Sequence, residues 1–113
     1  MRVSFVFEDV GVSILNVMPI ASLTLEIRIE GAHSLKDKRQ VVRSLKDKLR
    51  AHFNVSVAEL EETELWQRAT IGVVAVSSSR DYLQGQMQQI EKQAVRIAND
   101  NGAEVVDTFV EYL

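Results

Sequence analysis

The feature that most constrains the fold is a change in hydrophobic period on either side of residues 31–33. Before this point, apolar residues alternate strictly with polar ones from Leu23 to Ile29, the pattern of a strand with one buried face. From residue 35 to about residue 52, apolar residues instead recur at spacings of three and four, which predicts an amphipathic helix. The chain is therefore predicted to pass from a strand into a helix through a short Gly-Ala-His turn.

The predicted helix has a clear start and a clear packing face. Ser34 is a good N-cap residue, and Asp37 can replace the usual Glu of a capping box. Successive residues of a helix are about 100° apart, which gathers the apolar residues into one stripe that must lie against a core. The stripe consists of Leu35, Val42, Leu45 and Leu49, with Val41 at its margin.

Lys38 falls near the middle of this apolar stripe, in the first turn of the predicted helix. We expect its methylene groups to cover the end of the core while its ammonium reaches solvent. The alternative is a carboxylate partner reached across the fold.

Five cations fall within a wedge of about 80° beside the apolar stripe, and we call them the basic flank. Like charges at these spacings repel by a few tenths of a kcal/mol, a cost that a purely structural helix avoids with interleaved Glu. A charged helix face is also often only solvated, so both interpretations stay open. The basic flank consists of Lys36, Arg39, Arg43, Lys46 and Arg50.

The basic flank contrasts with the rest of the chain. Residues 36–50 contain seven basic and two acidic residues, whereas all other positions contain six basic and fourteen acidic ones. The formal net charge of −3 therefore conceals one positive feature on an otherwise acidic protein. Any contact with a polyanion is expected to be local.

Composition excludes several kinds of chemistry. The length of 113 residues, 46% of them hydrophobic, suits one domain with a single core. The absence of Cys excludes disulfides, thiolate zinc sites and a cysteine nucleophile, and it fits a reducing compartment. His33 and His52 are too far apart for a histidine-rich metal site, and His33 is expected to be a turn residue. We find no P-loop and no dinucleotide-binding motif, so no catalytic residue, metal or cofactor is predicted.

Four further segments complete the fold prediction. Val55 to Leu60 and Arg68 to Val76 read as strands, and a serine run at 77–79 offers N-caps for a second helix. Asn101-Gly102 closes that helix. Its apolar face is predicted to be Leu83, Met87, Ile90, Ala94, Ile97 and Ala98, and a last strand from Glu104 to Tyr112 has Val106, Val110 and Tyr112 as its regular apolar positions.

The order strand, helix, strand, strand, helix, strand is that of the ferredoxin-like fold. This α+β class packs both helices of a βαββαβ chain on one face of a four-stranded antiparallel sheet, as a two-layer sandwich. The other sheet face has no helix, yet the third strand is largely apolar on both faces. A partner subunit, in a homodimer, or the N-terminal extension could cover that face.

We divide the chain into an N-terminal extension at 1–18, with a candidate extra strand, and a single domain at 19–113. The residue pattern of the apolar N-terminal stretch predicts neither a signal peptide nor a transmembrane helix. Arg2 is its single cation, and Glu8 and Asp9 interrupt it before any long apolar core. No membrane contact is therefore predicted.

The sequence favours nucleic-acid contact through the basic flank over contact through the sheet. The predicted strands Leu23 to Ile29 and Ala69 to Val76 contain no aromatic residue on which bases could stack. Contacts from the flank would go to phosphates and would be salt-sensitive, which favours structured RNA over a DNA operator. Trp66 is expected to pack, with base stacking as its alternative, and Arg68 lies beside it. The acidic run of Glu59, Glu61, Glu62 and Glu64 is expected to be a solvated loop, with cation binding as its alternative.

Three motifs resemble one known family. SLKDKR at 34–39, FNVSVAE at 53–59 and LWQRA at 65–69 occur in the order found in the YlxP-like family of small bacterial proteins. The resemblance covers about residues 21–112 and implies a ferredoxin-like fold. It also implies a bacterial cytoplasmic protein, often encoded beside translation and ribosome-maturation factors. It supplies no catalytic residues.

The sequence thus predicts a non-enzymatic, cytoplasmic RNA- or ribosome-associated module. Two alternatives stay open: a dimeric small-ligand-sensing domain of the ACT type, and a protein-interaction adaptor whose basic flank meets an acidic partner. The predicted nucleic-acid-binding residues are Lys36, Arg39, Arg43, Lys46, Arg50, Trp66 and Arg68.

Overall fold

The structure is a computed structural model that describes residues 18–60 and 65–113. Most of the predicted N-terminal extension and part of the predicted acidic loop therefore lie outside the described residues. The six elements occur in the predicted order. They are β1 (Ile20–Arg28), α1 (Leu35–His52), β2 (Ser56–Leu60), β3 (Arg68–Val76), α2 (Arg80–Asp100) and β4 (Glu104–Tyr112).

The four strands form one antiparallel sheet in the order β2-β3-β1-β4. The first and third strands are therefore central, and the second and fourth are at the edges. Together with the two helices, this topology confirms the predicted ferredoxin-like fold.

The core lies between the helices and one face of the sheet. Alternate residues of β1 are buried there, and α1 and α2 contribute their apolar faces to the same cluster. The six apolar positions predicted for α2 are all buried. The opposite face of the sheet is not covered by α1 or α2, and we call it the helix-free face.

The last strand departs from the predicted alternation. Its pairing with β1 shifts between Glu26 and Ile27, whose partners are Asp107 and Val105, so Val106 is an extra residue in the ladder. A bulge of this kind reverses which residues face the core. Val105 consequently packs against the core while Val106 is exposed, and the prediction of Val106 as a regular apolar position was wrong.

Local hydrogen bonds explain where the helices begin and end. The Ser34 hydroxyl accepts from the Asp37 N–H at 3.1 Å, as predicted for an N-cap. The Asp37 carboxylate accepts from the His33 N–H at 2.9 Å, one residue before the position that a capping box uses. α2 begins with an equivalent bond at Ser79, and Gly102 follows its end at a φ of 73°, a conformation that favours glycine.

Candidate nucleic-acid interface

The basic flank lies on the side of α1 that faces β2. The Arg50 guanidinium donates a hydrogen bond to the Val57 carbonyl at 2.9 Å, which fixes the end of the flank against this strand. Because β2 is an edge strand, the flank runs along an edge of the molecule. All residues of the apolar stripe except the partly buried Leu35 are buried beside the flank, and this packing fixes the side of the helix on which the cations lie.

No carboxylate of the described residues pairs with a cation of the flank. Lys36, Arg39, Arg43 and Arg50 are exposed, and Lys46 is half-buried. Across residues 18–60 and 65–113, no ion pair involves any of the five. The flank therefore presents concentrated positive charge, which is the arrangement that a polyanion contact requires.

Lys38 does not belong to this exposed surface. Its ammonium lies 3.4 Å from a Glu59 carboxylate oxygen, and the two side chains are only 4% and 15% exposed. The expectation that its ammonium reaches solvent was wrong, and the alternative of a carboxylate across the fold is correct. Glu59 lies on the helix-covered face of β2, directly within reach of the first turns of α1. The charge of Lys38 is therefore paired with a carboxylate inside the fold.

Trp66 immediately precedes a residue that is bonded to the turn between β1 and α1. The residue after it, Gln67, accepts a hydrogen bond from the Ile29 N–H at 2.9 Å, and its side-chain amide donates to the Glu30 carbonyl at 3.2 Å. These bonds hold Trp66 beside the turn that leads into α1. The residue is 48% exposed, so Trp66 packs less completely than expected.

Arg68 is separated from the flank by the sheet. Its neighbour Ala69 is buried on the helix side, so Arg68 lies on the helix-free face, where it pairs in register with Arg28. Glu26 and Glu30 line the same depression, which makes the surroundings of Arg68 mixed in charge. The predicted site residues thus do not share one surface: the flank lies along α1, Trp66 precedes β3, and Arg68 lies on the helix-free face.

Sequence reasoning missed the aromatic residue of the helix-free face. Phe109 on β4 is 63% exposed and lies beside Thr24 of the central strand. The prediction that no aromatic residue is available for base stacking concerned the two central strands, whereas Phe109 lies on an edge strand. In a strand, Phe109 shares a face with Asp107 and Glu111, which are two positions away on either side. The two acidic residues indicate that this face does not pack against the core, and this was the signal in the sequence.

Neither a metal cluster nor a membrane span is found in the part of the chain that the structure describes. No three His, Asp or Glu side chains there are grouped so that they could hold a metal ion. No described helix combines the length and apolarity needed to cross a bilayer.

Residues 20–110 match a family model described as a protein of unknown function, DUF503. The chain belongs to the DUF503 family. An uncharacterized protein of Bacillus subtilis strain 168, YlxP, is 38% identical to this DUF503 member over 65 residues, which are 58% of this chain and 71% of YlxP. The resemblance to YlxP-like proteins is thereby confirmed.

Solved structures similar to this DUF503 member show its fold alone, because their sequence identities are low. The de novo designed protein Foldit4 matches with a TM-score of 0.51 and 9% identity, over 85% of this chain and 96% of that one. A C-terminal segment of the alpha subunit of aIF2 from Pyrococcus abyssi matches at 0.50 and 13%, over 82% and 49%. The YXEP peptidase of Bacillus subtilis matches at 0.50 and 12%, over 85% and 26%. The chain thus spans half or less of the two natural proteins.

Proposed function

We propose that this protein is a non-enzymatic, cytoplasmic RNA-binding module that associates with structured RNA or the ribosome. The observation that carries the proposal is the basic flank: five cations on one edge, in no ion pair with any described carboxylate, on a protein of net charge −3. Spacings of three and four along a helix suit successive phosphates of a nucleic-acid backbone better than a single small anion. The binding surface is the exposed part of the flank.

Two details refine this surface. Arg50 already donates to the Val57 carbonyl, so it has fewer donors to offer than Arg39 and Arg43. Trp66 adds a candidate contact, because a half-exposed tryptophan beside the turn that leads into α1 can stack on an unpaired base. Arg68 lies across the sheet and contributes less.

Binding is expected to depend strongly on salt. With about four phosphates neutralised, the logarithm of the association constant should fall with the logarithm of salt concentration at a slope of about −3 to −4. We would purify the protein with nuclease treatment and titrate it into a fluorescently labelled structured RNA at several salt concentrations. A slope near zero would contradict the proposal.

A matched pair of triple variants distinguishes RNA binding by the basic flank from general electrostatic attraction to any exposed cations. The test variant changes Lys36, Arg39 and Arg43 to Gln, and it is expected to lose RNA binding at an unchanged melting temperature. The control variant changes one lysine and two arginines that are exposed on α2, and it should bind as the parent does. Equal losses in both variants would indicate non-specific attraction only. The three control residues are Arg80, Lys92 and Arg96.

A second observation favours self-association as a further property. The helix-free face exposes large apolar side chains from three strands, and exposed apolar patches of this kind commonly mark interfaces. We propose a homodimer through this face. Sedimentation equilibrium over a range of protein concentrations tests it, and a monomer at every concentration would contradict it. The exposed apolar residues are Leu60, Val74, Val76, Val106 and Phe109.

A further inference from the structure

We infer that the two copies of the proposed dimer pack face to face about a two-fold axis parallel to the strands, with Phe109 of each copy seated on Ala58 of the other. This inference rests on the proposed self-association and adds the arrangement of its interface. The partner is a second copy of this chain.

The strand register places large and small residues in one row across the helix-free face. Ala58 pairs with Gly72, Gly72 with Thr24, and Thr24 with Phe109. The row therefore runs across all four strands from the β2 edge to the β4 edge. Its small side chains lie at one end and its exposed ring lies at the other.

A two-fold axis parallel to the strands, between β3 and β1, reverses this row in the second copy. The β4 edge of one copy then lies over the β2 edge of the other. Phe109 meets Ala58, so the large side chain of the row faces a small one, and Thr24 meets Gly72 and the Leu60 side chain that lies over it. Two sheets packed face to face prefer nearly aligned strands about 10 Å apart, which this arrangement satisfies.

The neighbouring rows agree with the same axis. Ile20 pairs with Val76 on the helix-free face, and Ser22 pairs with Val74. In the dimer, Val76 of one copy would lie over Ile20 of the other, and Val74 over Ser22. On the other side of the Phe109 row, Leu60, Thr70, Glu26 and Asp107 form the next row. The same axis places Glu26 over Thr70 and Asp107 over Leu60, so the apolar contact ends at this row.

The structure also supplies a recess for the ring. A groove of about 370 Å³ lies on this face beside Ala58, Gly72 and Val74. The Leu60 side chain lies over Gly72, since a Cβ added at Gly72 would come within 3.0 Å of its Cδ1 atom. Leu60 thus forms one wall of the groove into which the partner's Phe109 would fit.

The opposite end of the face limits the strength of the contact. Arg28 of one copy would lie over Arg68 of the other, although Arg28 pairs with Glu30 at 3.6 Å within its own chain. Strands of this length in a four-stranded sheet give a face of roughly 500 Å² per copy. A total near 1,000 Å² is at the lower end for specific interfaces, so the dimer is expected to be weak.

Exchanging the large and small residues tests the arrangement. Phe109→Ala and Ala58→Phe should each raise the dimer dissociation constant about tenfold or more, the first by removing the ring and the second by filling its recess. The double variant A58F/F109A should restore the parent value, because the two-fold axis brings the exchanged residues together again. Tyr82→Ala removes an exposed aromatic residue from α2 and should have no effect. Failure of the double variant to recover would overturn the inference.

Crosslinking separates this inference from self-association itself. The chain has no Cys, so single cysteines can be placed at will and joined with a short bismaleimide. Thr24→Cys lies near the centre of the face and should crosslink in a face-to-face dimer whose two-fold axis passes near the middle of the sheet. Ser56→Cys mixed with Glu111→Cys should crosslink only in the proposed arrangement, and neither variant should crosslink alone. Crosslinking at Thr24 without the mixed product would retain the dimer and overturn its arrangement.

The N-terminal residues are the other candidate for the same face. Seventeen residues precede Met18, and an extended chain of that length could cross the sheet. If the full chain stays monomeric and a variant beginning at Met18 dimerises, the face belongs to those residues and the inference is overturned. Equal dimerisation of both proteins supports the second copy.

Discussion

Leu23 and Thr24 are neighbours in the chain, yet they lie on opposite faces of the same central strand. Leu23 is fully buried under the helices, whereas Thr24 is on the helix-free face beside Gly72 and Phe109. The two faces differ in what they require of a residue. The helix-covered face requires volume and apolarity at every second position, while the helix-free face tolerates serine, threonine, glutamate and arginine. Stability is therefore concentrated on the helix-covered side, whereas the proposed interaction surfaces lie on the other side and at the edge.

The comparison predicts its largest effect at these two adjacent residues. Leu23→Ala should lower the free energy of unfolding by about 4 kcal/mol, since it removes a fully buried side chain from a central strand. Thr24→Ala should change it by no more than about 0.5 kcal/mol. Urea unfolding of the two variants measures both values. Similar losses would mean that the second face is also covered in solution.

The ion pairs of the two faces give the next prediction. Glu59→Ala leaves the buried Lys38 ammonium without its carboxylate and should cost about 3 kcal/mol. Glu30→Ala removes the exposed partner of Arg28 and should cost less than about 1 kcal/mol. Thermal unfolding at low and high salt checks the contrast, because only the exposed pair is screened.

Replacing both members of the buried pair is the control. Lys38→Met combined with Glu59→Leu should recover most of the loss, since well-packed apolar residues often replace a buried ion pair without cost. A double variant as unstable as Glu59→Ala would show that the contacts of Lys38 depend on its charge.

Hydrophobic periodicity accounts for how much of the fold was predictable. The apolar positions of α2 followed from helical spacing. The bounds of β3 and β4 followed from apolar runs next to helix-capping signals, the serine run at 77–79 and Asn101-Gly102. Spacing could not reveal the bulge at Val106, since an extra residue in a ladder depends on how β1 and β4 pair. It also could not give Lys38 its partner, because Glu59 lies twenty-one positions away and meets it only after β2 has folded back.

The candidate site was predictable to a lesser extent. Helical geometry alone placed the five cations of the basic flank on one side of α1, and the structure leaves them in no ion pair with the described carboxylates. Trp66, Arg68 and Phe109 could not be placed in the same way. Their relation to the flank depends on the turn that holds Gln67 and on the strand register, which are tertiary properties.

A similarly small change in stability is predicted at Gly72, and this position tests whether the helix-free face has a role beyond packing. A Cβ at this position meets the end of the Leu60 side chain, which is exposed and free to turn aside. Gly72→Ala should therefore alter the free energy of unfolding by about 0.5 kcal/mol or less, because better strand propensity offsets the displaced contact. The displaced leucine would nevertheless narrow the recess that receives the partner's Phe109. Sedimentation should thus detect weaker self-association in a variant that unfolding experiments barely distinguish from the parent. If association is unchanged while Phe109→Ala abolishes it, the ring contacts another part of the partner's face.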